Sequence, residues 1–487
     1  MHSDRTYTVV ETASLVQLHA EWHALCERYL PIVPADSIWR YHRERVPDDP
    51  EQGWKLHLSA TVLNATIVLA RVAPLLAERG VQFKAPATLQ ELRRLNSGLR
   101  HGYSQVGKCI TVYPATPEEA VFWAGELHRL TFGVDAPAVP FERRYQPDSN
   151  VYYRYGAFRR LTITNADGMT LPALRDLQGA LVPDLRVSAA AHPKWVQDPF
   201  SQCEPSESLA VATPLQTTFR VFRALAQRGK GGVYQALDCS VQPPRVCLLK
   251  EGRRHGEVSW DGRDGAWRVR HEEHVLGQLR AAGIAVPRIY ASFELEGNYY
   301  LATEFVAGES LAVLLNRRRR RLPLLRALRY GAEIASLLAS IHAAGWVWRD
   351  CKPANLLVTR QGHLRPLDFE GACPIAQPDV LPWGTPAFAP PLAFAADEAR
   401  ASVPDDLYAL GVVLYLLLAG TLPATEAPRS LASLRRGIPT TVHNLIMALL
   451  TAAPGQRPAA QIVAHELQTR AVITPVAGEV SSVATAP

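Results

Sequence analysis

Between Val347 and Val358 the chain reads VWRDCKPANLLV, and at 367–372 it reads LDFEGA. Asp350, Lys352 and Asn355 stand at D-x-K-x-x-N spacing before an apolar run, and Asp368 sits in the second loop. No other stretch limits the fold so tightly, because it falls within an ordered series. AQRGKGGVYQA (226–236) is a glycine-rich turn between two strands, and RVCLLKEGR ends an apolar strand on Lys250. RHEEHVLGQL carries Glu272 and Glu273 on a helix, and GTPAFAPP (384–391), DDLYALGVVLYLL with Asp406 and PGQRPAA with Arg457 follow. Each piece is modest alone; their order and separations together point to one architecture.

The chemistry of these pieces is that of phosphate handling. Gly229, Gly231 and Gly232 let backbone N–H groups approach phosphate oxygens closely. A strand-borne Lys250 reaches α- and β-phosphates where a carboxylate holds it; Glu272 is the candidate holder and Glu273 its neighbouring alternative. This half of the chain resembles the protein kinase superfamily over its whole length. The resemblance implies ATP, or another nucleoside triphosphate, with Mg²⁺ as cofactors. It gives Asp350 the proton of the substrate hydroxyl, sets Lys352 on the γ-phosphate, and makes Asn355 and Asp368 the metal ligands. Three positions depart from the pattern: Trp348 replaces a His before Arg-Asp, Glu370 replaces the Gly after Asp-Phe, and Pro391 replaces the Glu that Arg457 would pair with. Thr385 is the single hydroxyl in the segment Asp368–Pro391 and its position looks structural, so no switch by phosphorylation of this segment is expected.

The 487 residues suit two or three domains, and 47% hydrophobic with 20% charged residues describes an ordinary globular chain. A net charge of +6 suits anionic partners such as nucleotides or phosphopeptides. No nucleic-acid motif is visible, and the arginine run 317–321 is a solvated face or, on a sharper reading, a dock for an acidic peptide. Seven scattered cysteines without C-x-x-C favour neither disulfides nor zinc, and reduced thiols fit a cytoplasmic protein. No signal peptide is apparent, and Leu407–Gly420 is too short an apolar run to span a bilayer, so no membrane association is expected.

The front part has the texture of an α+β domain. Helical periodicity over 13–30 gives way to alternation around GWKLHLSA (53–60), then to a helix over Thr61–Glu78. VQFKA, GKCITVYP (107–114) and NVYYRYGAF (150–158) read as strands. Lys55 and His57, two apart on a strand, project from one face. Lys84, Arg93, Arg94, Lys108 and Arg154 add cations that could be several solvated faces or could ring one anion pocket. From Val182 to Pro214 proline, serine and alanine replace any period, which marks a boundary. The expected domains are 1–205, 206–470 and a disordered tail over 471–487.

GWKLHLSA, GVQFKAP, RRLNS, GKCITVYP and VYYRYGAF together resemble the lyase domain of class III lanthipeptide synthetases, itself related to bacterial phosphothreonine lyases. GALVPDLRV with HPKWVQDPF resembles the stretch leading from lyase to kinase in that family. The fold class expected is therefore α+β: a phosphothreonine-lyase-like domain followed by a bilobal protein-kinase-like domain. The resemblance implies that Lys84 is a general base and His57 a general acid. Lys55 would polarise the substrate carbonyl, and Arg94, Lys108 and Arg154 would grip phosphate, with Arg93 the competitor of Arg94. The implied reaction is phosphorylation of Ser or Thr in a leader-bound ribosomal precursor peptide, then β-elimination of the phosphate to dehydroalanine or dehydrobutyrine.

Family members usually continue into a cyclase domain. Nothing after 470 is expected to form a third core, so this chain is expected to dehydrate without closing rings, which leaves that step to a separate cyclase as a partner or to spontaneous or other downstream chemistry. Two other readings compete: a Ser/Thr kinase with a non-catalytic phosphopeptide-binding front domain, and a pseudokinase scaffold. Lys84 with His57 argues against the first; Lys250, Asp350, Asn355 and Asp368 argue against the second.

Overall fold

The structure, a computed structural model, describes residues 12–35, 37–184, 192–200, 213–318, 321–379, 383–391, 400–425 and 427–473. The chain forms two compact units, Met1–Arg270 with Ser292–Ala302, and His271–Ala291 with Thr303–Pro487.

The first unit begins with Thr12–Tyr29 (α1), Trp39–Tyr41 (β1), Gln52–Leu58 (β2), Ala65–Glu78 (α2), Gln82–Pro86 (β3) and Leu89–Ser97 (α3). Ile110–Tyr113 (β4), Pro117–Thr131 (α4), Arg143–Arg144 (β5) and Val151–Ala157 (β6) follow. The strands make one sheet in the order β1-β3-β4-β2-β6-β5, antiparallel at every pairing. Alternation sorts its faces. Leu56, Leu58, Phe83, Ala85, Ile110, Val112 and Val151 are buried with Val68, Leu69 and Val72 of α2 and Trp123 and Leu127 of α4. Lys55, His57, Lys84, Thr111, Tyr113, Tyr152 and Arg154 alternate with that set and share the other face. Each buried Leu or Val contributes about 1.5–3 kcal/mol. A one-residue slip of register would turn the whole apolar set outward, so packing on one face fixes the polar set on the other.

Thr162–Thr164 (β7), Thr170–Arg175 (β8) and Leu181–Pro183 (β9) form a small sheet. The expected boundary between residues 205 and 206 lies outside the described residues; the flanking 192–200 hold no helix or strand. After Pro214–Thr217 (α5) come Phe219–Arg228 (β10), Gly231–Asp238 (β11), Arg245–Gly252 (β12), Gly265–Ala281 (α6), Ile289–Leu295 (β13) and Asn298–Glu304 (β14). The five strands are ordered β10-β11-β12-β14-β13. The limit of the first compact unit falls within α6, so β10–β12 are compact with the front sheet.

The second unit is mainly helical. Gly308–Ser310 (β15), Leu311–Arg318 (α7), Leu324–Ala343 (α8), Trp346–Val347 (β16), Leu356–Thr359 (β17), Leu364–Pro366 (β18) and Cys373–Pro374 (β19) precede Val403–Ala419 (α9), Leu431–Leu434 (α10), Thr440–Thr451 (α11) and Ala460–Ile473 (α12). The apolar run 407–420 is α9, closed at its start by a Ser402–Asp405 capping box and at its end by Gly420 with φ 77°. No helix among the described residues is long and apolar enough to cross a membrane. The tail expected from 471 begins inside α12, and 474–487 lie outside the described residues. An α+β front part is thus followed by the sheet lobe and helical lobe of a kinase domain.

Candidate active sites

In the front sheet one row of cross-strand neighbours runs Lys84, Thr111, His57, Tyr152 and Arg144. Adjacent strands lie about 4.8 Å apart, so the backbones of Lys84 and His57, two strands apart, are separated by about 10 Å. A lysine stem and an imidazole rising from the same face can close much of that gap. The next row brings Lys55 opposite Arg154. Gly156 leaves room beside both: a Cβ there would sit 3.2 Å from Arg154 Nη1 and 3.4 Å from Lys55 Cε. Lys84 Nζ lies 4.1 Å from the centre of the Trp39 ring, and Lys55 Nζ lies 5.7 Å from that of Tyr113.

Glu142 organises this face and was not singled out from the sequence. Its Oε2 accepts from His57 Nδ1 at 2.6 Å, and its Oε1 pairs with Lys108 Nζ at 2.6 Å. His57, Lys108 and Glu142 are 5%, 4% and 6% exposed. Burial pushes the imidazole down to about 3; Glu142 pulls the other way, and Lys108 and Lys55 add to the fall. His57 is therefore neutral, with its proton on Nδ1 and the Nε2 lone pair turned away from Glu142. Burial raises the Glu142 carboxyl, but His57 and Lys108 outweigh it and hold the group below the usual carboxylate range.

The cations expected to grip phosphate are each engaged by a carboxylate in the structure. Lys108 supports Glu142. Arg154 donates to the buried Asp184, and Arg94 donates to Glu91 on the exposed flank of α3. Nothing local could have pointed to Glu142, which is 85 residues from His57.

The glycine-rich segment is a tight hairpin in which Arg228 pairs with Gly231 and only Gly229 and Lys230 make the turn. Gly231 has φ 153°, and a Cβ there would lie 1.7 Å from Glu251 O. Gly232 faces Gln227, and Lys250 on β12 faces Val233. Gly229 departs from its expected role, because its N–H is donated to Ser97 O at 3.0 Å and so is not offered to a phosphate. Set against G-x-G-x-x-G-x-V with Val233 as the valine, Gly231 is the third glycine, and Ala226 and Arg228 stand in the first two places.

In the second unit the catalytic-loop residues converge. Asp350 Oδ2 accepts from Lys352 Nζ at 2.7 Å and Asn355 Nδ2 at 2.8 Å. Thr385 Oγ1 donates to Asp350 Oδ1 at 3.1 Å and accepts from Lys352 at 2.8 Å. Burial raises the Asp350 carboxyl; Lys352 opposes this, and the nearby Asp368 carboxylate adds to it. Asp406 on α9 sets the loop by accepting from the amides of Trp348 and Arg349, both at 2.8 Å, and from His342 Nε2 at 3.0 Å. Trp348 supplies an N–H in place of the usual histidine: its Nε1 donates to Asp368 O at 2.9 Å, and its ring stacks on Phe369. Glu272 accepts from the amide of Phe369 at 3.2 Å. Arg457, without a Glu at 391, donates to Pro404 O at 2.8 Å and lies over the Tyr408 ring. Of the arginine run, 319 and 320 lie outside the described residues, while Arg317 pairs with Glu309 at 3.2 Å.

These residues fit a divalent cation. Asn355 spends Nδ2 on Asp350, which turns Oδ1 the other way, and two like-charged carboxylates close to each other favour a cation between hard oxygen donors. The six cysteines among the described residues are free thiols.

Comparison with known proteins agrees with this architecture. Residues 33–210 match the family described as RamC, N-terminal domain, and residues 229–467 match the protein kinase domain. The chain thus joins a RamC-type N-terminal domain to a protein kinase domain. In carrying these two domains in this order it is similar to the class III lanthipeptide synthetases. A probable SapB synthase of Streptomyces coelicolor is 32% identical over 402 residues, 79% of this chain and 42% of that protein. The 3-phosphoinositide-dependent protein kinase 1 of Arabidopsis thaliana is 35% identical over 214 residues, 39% of this chain and 43% of that protein. PknA of Mycobacterium tuberculosis is 33% identical over 222 residues, 44% of this chain and 49% of that kinase. The chain spans less than half the length of each of these relatives.

Proposed function

We propose that this protein dehydrates Ser and Thr residues of a ribosomal precursor peptide in lanthipeptide-type biosynthesis, first by phosphorylation and then by β-elimination. The observation that carries the reading is the row Lys84–Thr111–His57 beside the Lys55–Arg154 pair, because a module that only bound phosphopeptides would need cations but no acid–base pair.

When bound, ATP supplies the phosphoryl group and Mg²⁺ neutralises its charge. Asn355 and Asp368 would hold the metal, Gly231, Gly232 and Lys250 the phosphates, and Glu272 the active placement of the segment at Phe369. Asp350 takes the proton of the peptide hydroxyl, and Lys352, fixed by Asp350 and Thr385, faces the transferring group.

In the second step the Lys84 amine removes the α-proton, the Cβ–O bond breaks, and a Cα=Cβ double bond forms. Lys55 stabilises the enolate oxygen, and Arg154 stands beside the phosphate. His57 protonates the departing phosphate through Nε2. Its neutral resting state suits a group that gains its proton as the phosphate dianion enters, and Glu142 then stabilises the imidazolium on its Nδ1 side. Phosphorylation makes a good leaving group of hydroxide; elimination expels it, with net loss of water. One chain carrying both sites keeps the phosphopeptide at high local concentration.

The test is to incubate the protein with ATP, Mg²⁺ and a short Ser- and Cys-rich peptide encoded beside it, and to weigh the peptide. Loss of water is the expected result. Gain of phosphate without that loss would identify a kinase whose front domain only binds, and an unchanged mass would overturn the reading.

A further inference from the structure

The turn that should cover the nucleotide phosphates is built into the front domain. Gly229 N–H donates to Ser97 O at 3.0 Å. A Cβ on Gly229 would lie 1.6 Å from Asn96 O, so the hairpin backbone rests directly on the last turn of α3. Asn96 itself is 3% exposed and hydrogen-bonded on both sides of its amide. Its Nδ2 donates to Ala60 O at 3.1 Å, and its Oδ1 accepts from Gly107 N at 3.0 Å. Ala60 lies just past the strand that carries His57, and Gly107 immediately precedes Lys108. One buried side chain therefore ties the segment that carries His57 to the segment that carries Lys108, while the same residue's main chain supports the hairpin.

A second line of contacts runs alongside. Arg253 N donates to the hairpin's Lys230 O at 2.8 Å, and the Arg253 guanidinium lies 4.7 Å from the centre of the Tyr103 ring. Tyr103 meets Phe141 edge to face at 5.6 Å, and Phe141 is the residue before Glu142. His255, two residues past Arg253, pairs with Asp135 at 3.2 Å on the segment that leads to Glu142. A close-packed interior passes small displacements on to its neighbours.

We propose that Asn96 is a positioning residue shared by both reactions, seating the glycine hairpin and the His57–Glu142–Lys108 group on one support, so that phosphates bound at the hairpin alter the order of the elimination site. The proposal rests on the two-step function above. A ligand that orders the hairpin should order the groups seated with it, and binding at either site should favour binding at the other by the same factor.

Hydrogen exchange of the full chain, with and without Mg²⁺ and a non-hydrolysable ATP analogue, tests this without either reaction. The expected result is several-fold slower exchange both at 228–232 and at 107–109. Asn96→Ala should keep the protection at 228–232 and lose it at 107–109, whereas a merely structural role would loosen both alike. Should Asn96→Ala fail to fold, Gly229→Ala disturbs the contact between the hairpin and the Asn96 main chain instead, and should likewise separate the two responses. Elimination of phosphate from a synthetic phosphoserine peptide gives a second readout: with Asn96→Ala its pH profile should shift, because the surroundings of His57 change. Protection confined to the hairpin in the wild type overturns the proposal alone. Absence of protection at the hairpin overturns the kinase reading and the proposal with it.

Discussion

In the front sheet the Glu142 carboxylate is sealed from water and divided between His57 and Lys108. In the kinase loop Asp350 is half-buried and shares its oxygens among Lys352, Asn355 and Thr385. Both carboxylates sit where phosphate chemistry is proposed, yet their surroundings differ in kind. The first belongs to a buried ionic group in which removing one member takes a close counter-charge from its neighbour. The second belongs to a wetter network whose members can each be replaced with little loss of fold. The buried site should therefore register damage in stability and rate together, and the loop in rate alone.

The largest effect should come from Asp350→Asn, which removes the proton acceptor and keeps the shape. Phosphorylation should fall by about 10²–10⁴-fold, the usual contribution of a general base, with an unchanged urea midpoint. Lys84→Ala should leave phosphorylation intact and let phosphopeptide accumulate, seen by mass. Dehydrated product from Lys84→Ala would remove that lysine from its role.

Glu142→Gln should lower both stability and elimination. Breaking a buried pair by removing one charge costs about 3–5 kcal/mol, because the partner, here Lys108, loses a counter-charge in a dry setting. The double change Glu142→Gln with Lys108→Met should recover much of that stability in urea titrations, though not the elimination rate. Equal stability for the single and double variants would mean that the group is wetter than its geometry.

Thr385→Ala should act only on the kinase step. It removes one donor to Asp350 and one acceptor for Lys352, and a net hydrogen bond is worth about 0.5–1.5 kcal/mol, more when charged. About a tenfold fall in phosphorylation is expected, with Thr385→Ser near wild type. A phosphomimetic Thr385→Asp should not activate, since this hydroxyl is already engaged inside the site.

How much of this was legible in the sequence follows from distance along the chain. Asp350, Lys352 and Asn355 lie within six positions, so their spacing alone conveys their convergence. Lys55 and His57 share a face because a strand alternates. That Lys84 joins their face depends on β4 lying between β3 and β2, an order that no local pattern reveals. Glu142 and Asn96 were invisible for a further reason: each acts through contacts made after folding, Glu142 from a segment without motif or period, and Asn96 from within RRLNS, where nothing local marks its partners. The charge count misled in one respect, because a cation on a strand looks the same in sequence whether it faces a ligand or a carboxylate such as Asp184.

The pH dependence of stability separates the two environments with opposite signs. His57 holds a pKa of about 3 in the fold, against about 6.5 when unfolded. Between those values the unfolded chain binds a proton that the folded chain refuses, so the front unit loses stability as pH falls from about 6.5. The loss is at most about 1.4 kcal/mol per pH unit for one such group. Asp350 is shifted the other way, raised above its ordinary value. Its folded form binds the proton more readily, so its contribution improves as pH falls through that shifted value. Urea unfolding at pH 6.5 and pH 5, followed by hydrogen exchange at β2 and β4 for one unit and at α9 for the other, should show the front sheet weakening more than the helical lobe. His57→Gln keeps a donor to Glu142 without the titration and should remove that difference. Equal weakening of both units, or a front sheet indifferent to the substitution, would show that His57 titrates as freely as it does in water and is not the sealed neutral imidazole its surroundings describe.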